Sequence, residues 1–163
     1  MNIKIKNHLL LYRDYKLKCS IGKSGITNKK KEGDLATPKG NFNIGMLYYR
    51  KDRIKSFKCK IKKKIIKKNM GWCNDIKSNQ YNREIIFPFK YKAEKLYKKS
   101  KIYDLFINIK YNSCPVIKKK GSAIFLHIAD SKYKSTKGCI AISKKNFLEI
   151  IPFIKRDTKI LIS

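Results

Sequence analysis

Residues 122–142 read SAIFLHIADSKYKSTKGCIAI, in which two apolar runs flank a polar loop. The first run contains His127, and the second opens with Gly138 and Cys139. Short apolar runs bounded by polar, turn-forming residues are typical of buried β-strands. The pattern therefore predicts a strand bearing an imidazole, a loop, and a thiol at the start of the next strand.

An imidazole and a thiol brought together by such a loop have the chemistry needed for acyl transfer. A cysteine attacks a carbonyl as the thiolate, so it needs a base such as His127 to take its proton. Gly138 allows the backbone to come close to a substrate carbonyl. The N–H groups of Gly138 and Cys139 are candidate oxyanion donors.

These residues resemble the L,D-transpeptidases of bacterial cell walls, the YkuD-type catalytic domain. The signature of that family is a His, a gap, and then Ser/Thr-His-Gly-Cys. Here the corresponding residues are Thr136-Lys137-Gly138-Cys139-Ile140-Ala141. Lys137 replaces the motif His, and Ala141 replaces an Arg or Asn, as in a divergent branch that carries Thr-x-Gly-Cys-Ile-Ala.

The resemblance extends from about residue 20 to the C-terminus through blocks that occur in the family's order. The blocks are Gly33-Asp34-Leu35-Ala36-Thr37-Pro38-Lys39-Gly40-Asn41-Phe42, Leu47-Tyr48-Tyr49-Arg50, Gly71-Trp72-Cys73-Asn74-Asp75, Tyr81-Asn82-Arg83 and Tyr103-Asp104. It implies a mainly β fold, an open β-sandwich or mixed sheet with a few small helices. We expect residues 1–163 to form one L,D-transpeptidase catalytic domain.

The resemblance also implies an enzyme. Cys139 would attack a stem peptide of peptidoglycan, release D-alanine, and pass the acyl group to a neighbouring stem as a 3–3 cross-link. No metal or cofactor is expected. If water resolves the thioester, the same residues give an L,D-carboxypeptidase or amidase, and the sequence leaves that choice open.

Other side chains are candidates for substrate contact or for orienting His127. Those near the thiol are Ser135, Thr136 and Lys137, and those elsewhere are Tyr49, Arg50 and Trp72. Lys137 would favour the thiolate electrostatically or else face solvent. Asp104 and Asp130 could orient the imidazole, but a backbone carbonyl often does so in the family, and we choose neither.

The net charge is +30, from 41 basic and 11 acidic residues. Such a field attracts anionic polymers, including the wall. A Lys-rich polyanion-binding protein is therefore an alternative from another functional class. Specific nucleic-acid recognition is not expected, because reading bases favours Arg and only five basic residues are Arg.

No apolar run is long enough to predict a transmembrane helix. The first fourteen residues alternate and carry charges, so they predict a β-strand rather than a secretory signal. The family resemblance nonetheless implies the cell envelope or periplasm, and a cytoplasmic location stays open. Five cysteines at irregular spacings give no zinc pattern, and neither their disulfide state nor the oligomeric state follows from sequence.

Alternation predicts strands over residues 2–6, 8–12, 15–21, 41–44, 102–109, 123–128 and 159–162. Residues 71–82 are expected to form a loop, and residues 91–100 a helix. Ser143 is a predicted helix N-cap. Pro152 is expected to kink that helix or end its regular part.

Overall fold

The computed structural model describes residues 1–163 and is mainly β, with 36% strand and 8% helix, which confirms the predicted fold class. The fourteen strands are β1 (Ile3–Lys6), β2 (Leu9–Tyr12), β3 (Tyr15–Lys18), β4 (Ile26–Thr27), β5 (Thr37–Pro38), β6 (Gly40–Tyr49), β7 (Lys63–Ile65), β8 (Met70–Cys73), β9 (Glu84–Ile86), β10 (Ala93–Lys95), β11 (Leu105–Ile109), β12 (Phe125–Ile128), β13 (Ile140–Ile142) and β14 (Lys159–Ile162). One helix, α1, spans Lys144–Ile150, and 3-10 turns span Lys101–Tyr103 and Ile151–Phe153.

A mixed sheet in the order β13-β12-β11-β6-β14-β1-β2-β3 forms the body of the protein. The ten-residue strand β6 lies at its centre, because its first half pairs with β14 and its second half with β11. The short strand β7 pairs in parallel with the second half of β6.

The strands β12 and β13 lie side by side and parallel, with His127 opposite Ala141. All their residues are buried. Full burial on both faces explains the continuous apolar runs in the sequence, where a half-exposed strand would alternate. This pairing brings the imidazole and thiol regions into adjacent strands.

Two apolar clusters cover the two faces of this sheet region. The larger contains 24 buried residues and includes Phe147 and Ile150 of α1. The smaller contains nine, among them Phe106, Phe125 and Cys139. Cys139 thus lies at the edge of an aromatic core, and not on an open surface.

A separate three-stranded sheet, β10-β8-β9, packs against the smaller cluster through Met70 and Trp72. The predicted loop over residues 71–82 is wrong at its start, because residues 70–73 form β8. The predicted helix over residues 91–100 is also wrong, because residues 93–95 form β10 and pair with Cys73, Trp72 and Gly71. Tertiary pairing overrides a helical composition there.

The C-terminal region follows the prediction closely. The Ser143 hydroxyl accepts a hydrogen bond from the Asn146 N–H at 3.1 Å, so the predicted N-cap is confirmed. The regular helix ends at Ile150, and Pro152 lies in the following 3-10 turn, as expected of a residue without an N–H. No helix of the protein is long and apolar enough to span a membrane.

Candidate active site

His127 and Cys139 lie on the same face of the β12–β13 pair. The register places His127 opposite Ala141, so Cys139 is opposite Phe125, two residues along the same face. With strands about 4.8 Å apart and a rise of about 3.3 Å per residue, the Cα atoms of His127 and Cys139 are about 8 Å apart. Both side chains line one cleft.

The cleft has a volume of about 720 Å³ and is lined by both polar and apolar side chains. Its charged members are five lysines and three acids, namely Lys30, Lys92, Lys98, Lys134, Lys137, Glu32, Glu94 and Asp130. A site of this size accommodates a short peptide segment. Its balance of charge favours an anionic one.

The thiol of Cys139 is only 8% exposed and is held by two backbone groups. Its Sγ donates to the Ala123 carbonyl at 3.2 Å and accepts from the Phe125 N–H at 3.4 Å. No hydrogen bond joins it to His127. Burial raises the pKa of the Cys139 thiol to about 12, and the Phe125 N–H opposes this only in part. Cys139 therefore rests as a neutral thiol.

The imidazole of His127 is buried and has a defined tautomer. Its Nδ1 lies 2.9 Å from the Ile128 carbonyl, which can only accept, so Nδ1 carries the proton and Nε2 is the free base. A backbone carbonyl is thus the orienting group. Burial lowers the pKa of His127, against smaller opposing effects of that carbonyl and of Glu94. The ring packs edge-on against Tyr103, with 5.4 Å between centroids.

The turn before the nucleophile is fastened by Thr136. Its hydroxyl donates to the Cys139 carbonyl at 2.6 Å and accepts from the Gly138 N–H at 3.1 Å. The Gly138 N–H is therefore engaged in this turn. The Cys139 N–H makes no hydrogen bond within the protein.

Gly138 cannot be replaced by a larger residue without displacement of its neighbours. Its φ of 132° disfavours an L side chain, and a Cβ there would lie 2.8 Å from the Ala36 carbonyl. Ala36 belongs to the segment over residues 22–38, whose Thr37 hydroxyl accepts the Gly22 N–H at 2.8 Å. The segment around Thr37-Pro38 thus packs against the turn that precedes Cys139.

Ser135 and Lys137 are exposed residues at the rim of the cleft. The lysines whose charges favour the Cys139 thiolate are Lys30 and Lys98, not Lys137. Lys30 is buried and pairs with Asp34. The charges that favour the thiolate therefore do not come from the residue next to Cys139 in the sequence.

Tyr49, Arg50 and Trp72 do not line the cleft. Arg50 is buried in a bidentate pair with Asp52 and lies over the Tyr97 ring. Tyr49 packs edge-on against Phe57, and the indole of Trp72 packs edge-on against Phe125. Packing and hydrogen bonds within the protein explain where these three side chains lie.

Neither acid considered for orienting His127 does so. Asp104 is buried and bonded to Arg53 at 2.8 Å. Asp130 lines the cleft, but its carboxylate accepts the backbone N–H groups of Lys132 and Lys134. Its role is to close the turn after β12.

Several cleft residues were not found by sequence reasoning. Tyr103 donates to Glu94 at 3.0 Å, and Glu94 also accepts from Lys98 at 2.7 Å. Asn74 lines the cleft with a buried Oδ1 that has no partner. Tyr103 and Asn74 occur in the resembling blocks, which is the one signal that could have singled them out.

No cluster of three His, Cys, Asp or Glu side chains is arranged to hold a metal ion. All five cysteines are free.

A comparison with family models matches residues 2–162 to the YkuD family, described as the L,D-transpeptidase catalytic domain. No curated protein and no solved structure matches the chain.

Proposed function

The chain belongs to the YkuD family of L,D-transpeptidase catalytic domains, and from that premise we propose that it forms 3–3 cross-links between stem peptides of peptidoglycan. The observation that carries the proposal is the placement of Cys139 and His127 in one cleft, with His127 held as the Nδ1–H tautomer. An enzyme of the L,D-transpeptidase type follows from the family, and the particular reaction is our proposal.

The first half-reaction makes a thioester. Nε2 of His127 takes the thiol proton while Sγ of Cys139 attacks the carbonyl of the third stem residue. The C–N bond to D-alanine then breaks, and the imidazolium returns the proton to the departing amine. Because the resting thiol is neutral, proton transfer accompanies attack and does not precede substrate binding.

The tetrahedral oxyanion is stabilised by backbone donors. The free Cys139 N–H is the first, and the Gly138 N–H is the second once the Thr136 hydroxyl releases it. Loss of one such donor in other enzymes costs about 10²–10³ in kcat.

The second half-reaction transfers the acyl group. A side-chain amine of a neighbouring stem attacks the thioester carbonyl, and its proton passes to His127. The C–S bond then breaks, and the imidazolium returns the proton to the departing sulfur, which regenerates the thiol.

The charged side chains of the cleft suit a stem peptide as the acyl donor. Stem peptides carry carboxylates, and the exposed Lys92, Lys134 and Lys137 at the cleft offer cations to them. The Oδ1 of Asn74, which has no partner, is suited to accept a peptide N–H. Thr136 acts on the turn, and Ser135, an exposed residue of the cleft, would contact substrate.

Hydrolysis is the second candidate, because polar side chains at the cleft, among them Asn74, Ser122 and Ser135, offer groups that would hold a water. Water reaching the thioester would give an L,D-carboxypeptidase or amidase. Whether an amine or water wins depends on acceptor binding.

The proposed setting is the cell envelope, where the substrate of the family lies, with residues 1–163 acting as one catalytic domain. The positive surface would add a general attraction to anionic wall polymers.

The test is product analysis by mass spectrometry after incubation with disaccharide-tetrapeptides, beside a Cys139→Ala control. Dimers linked through third residues, absent in the control, are expected. Tripeptide with free D-alanine and no dimer would replace transfer by hydrolysis. No product from either protein would leave polyanion binding as the better account, and salt-sensitive retention on an anionic polymer would then be measured.

A further inference from the structure

Ala123, the residue whose carbonyl accepts the Cys139 thiol, has an unusual backbone conformation. Its φ is 53°, in the left-handed region that residues with a Cβ seldom adopt. Such a residue keeps this conformation only where neighbouring contacts impose it. The carbonyl that receives the Sγ–H therefore points where it does because something holds Ala123.

The group that holds Ala123 is the side chain of Asn82. Its Oδ1 accepts the Ala123 N–H at 3.0 Å and the Trp72 Nε1–H at 3.0 Å. Its Nδ2 donates to two carbonyls, those of Tyr111 and Asn112. The carboxamide thus makes four hydrogen bonds, and because its partners are two donors and two acceptors, its orientation is fixed.

Asn82 is itself constrained on all sides. It is 7% exposed, and its backbone N–H donates to the Cys73 carbonyl at 2.9 Å. Its φ is 57°, a conformation that Asn adopts more readily than most residues. A neighbouring bond from the Gly121 N–H to the Tyr81 hydroxyl, at 3.0 Å, fastens the same segment two residues earlier.

We propose that Asn82 is a positioning residue for the nucleophile, acting through Ala123. Trp72 supports Asn82, Asn82 fixes Ala123, and the Ala123 carbonyl holds the Sγ–H of Cys139 in its resting place. The Phe125 N–H stays directed at the sulfur and can stabilise it when the proton leaves. This gives the Trp72 and Tyr81-Asn82 blocks a role that neither cleft lining nor packing supplies.

The consequence is a protected thiol. An S–H that donates to a carbonyl is stabilised in the neutral form. The resting cysteine therefore stays unreactive toward adventitious electrophiles, and the proton leaves only when substrate brings His127 into action. Loosening Ala123 should make the thiol more reactive to small reagents and less effective in acyl transfer.

The charged and titratable groups around the sulfur do not depend on Asn82. Tyr103 lies in the same apolar cluster as the sulfur, His127 lines the same cleft, and Glu94, Lys30 and Lys98 act on the sulfur electrostatically. None of the five hydrogen-bonds to Asn82. A change in Cys139 reactivity on substitution of Asn82 would thus report on the Ala123 tether.

The experiment compares Asn82→Ala with the wild type and with Asn79→Ala, an exposed residue of the same loop that makes no hydrogen bond. The rate of Cys139 alkylation by iodoacetamide is measured across pH 7–10 by peptide mass spectrometry, as a ratio to the exposed Cys114 in the same sample. Loss of one hydrogen bond to the neutral thiol should raise the ratio about tenfold at neutral pH. The profile should also move toward lower pH.

An unchanged ratio and profile in folded Asn82→Ala would overturn the inference. If that variant fails to fold by circular dichroism, Trp72→Phe decides, because it removes the Nε1–H that Asn82 accepts while keeping an aromatic ring in the cluster. It should raise the ratio in the same direction by a smaller factor, and an unchanged ratio would again overturn the inference. The inference rests on Cys139 as nucleophile, but alkylation needs no peptide, so failure of the proposed cross-linking reaction would be seen separately in the product assay.

Discussion

Cys139 and His127 are both uncharged in the resting site, because burial opposes charge on each. The thiol is kept as S–H by its surroundings, and the imidazole is kept as a neutral base. In a preformed thiolate–imidazolium pair the thiol proton has already passed to the imidazole, whereas in this pair it has not. In the proposed mechanism, the proton moves only once the substrate is bound.

This difference predicts a pH dependence. Below about pH 9, Cys139 of the free enzyme should be alkylated more slowly than the exposed Cys114, since its pKa is raised. The acid limb of kcat/KM should lie below pH 6.5, because a lowered pKa keeps His127 neutral as the pH falls. Faster alkylation of Cys139 than of Cys114 at pH 7 would mean that a thiolate is already present and would refute the neutral pair.

Sequence reasoning could pair His127 with Cys139, because each ends or begins an apolar run that predicts a strand. It could not find Asn82 or Lys30 as site residues. Asn82 reaches Ala123 across 41 positions of sequence, and Lys30 acts on the thiol as a buried residue between exposed neighbours. Contacts of that kind are set by tertiary packing, which local pattern does not contain.

Elements were predictable where local signals agreed with the tertiary fold. The strand β14 and the start of α1 carry alternation and a cap, and both occur as expected. Residues 91–100 have helical composition, yet β8 offers an open edge, and residues 93–95 pair with it. The gain from that pairing exceeds a weak helical preference.

The cap of α1 should be a measurable part of stability. Ser143→Ala removes the acceptor of the Asn146 N–H and should lower the free energy of unfolding by about 1 kcal/mol. Urea denaturation measures this, with Ser143→Thr as the matched variant that keeps a hydroxyl. Equal midpoints for the Ala and Thr variants would show that the cap bond contributes nothing.

At the scale of the whole molecule, the dominant feature is the large positive net charge. With a net charge of +30, the protein attracts anions over the whole surface as well as in the cleft. Lysine side chains cover exposed positions of many elements, including all of the edge strand β7 except Ile65. Charged edges of this kind also discourage strand pairing between molecules.

Added salt should therefore weaken the association of the protein with its substrate. Raising ionic strength from about 0.05 M to about 0.5 M shortens the screening length several-fold, so kcat/KM for a tetrapeptide donor should fall while kcat changes little. A donor with amidated carboxylates is the control and should respond less. An equal response of both donors would show that the cleft and surface charges do not steer the substrate.

The most direct test of the central claim is the intact mass of the protein after brief incubation with a tetrapeptide donor whose side-chain amine is acetylated, so that no acceptor amine is present. We expect a mass increase equal to the donor less D-alanine, mapped to Cys139 and absent in Cys139→Ala. His127→Asn should form the adduct far more slowly, by about 10²–10⁴-fold, as expected for loss of a general base. An adduct on another residue, or none under conditions where product forms, would contradict a Cys139 thioester.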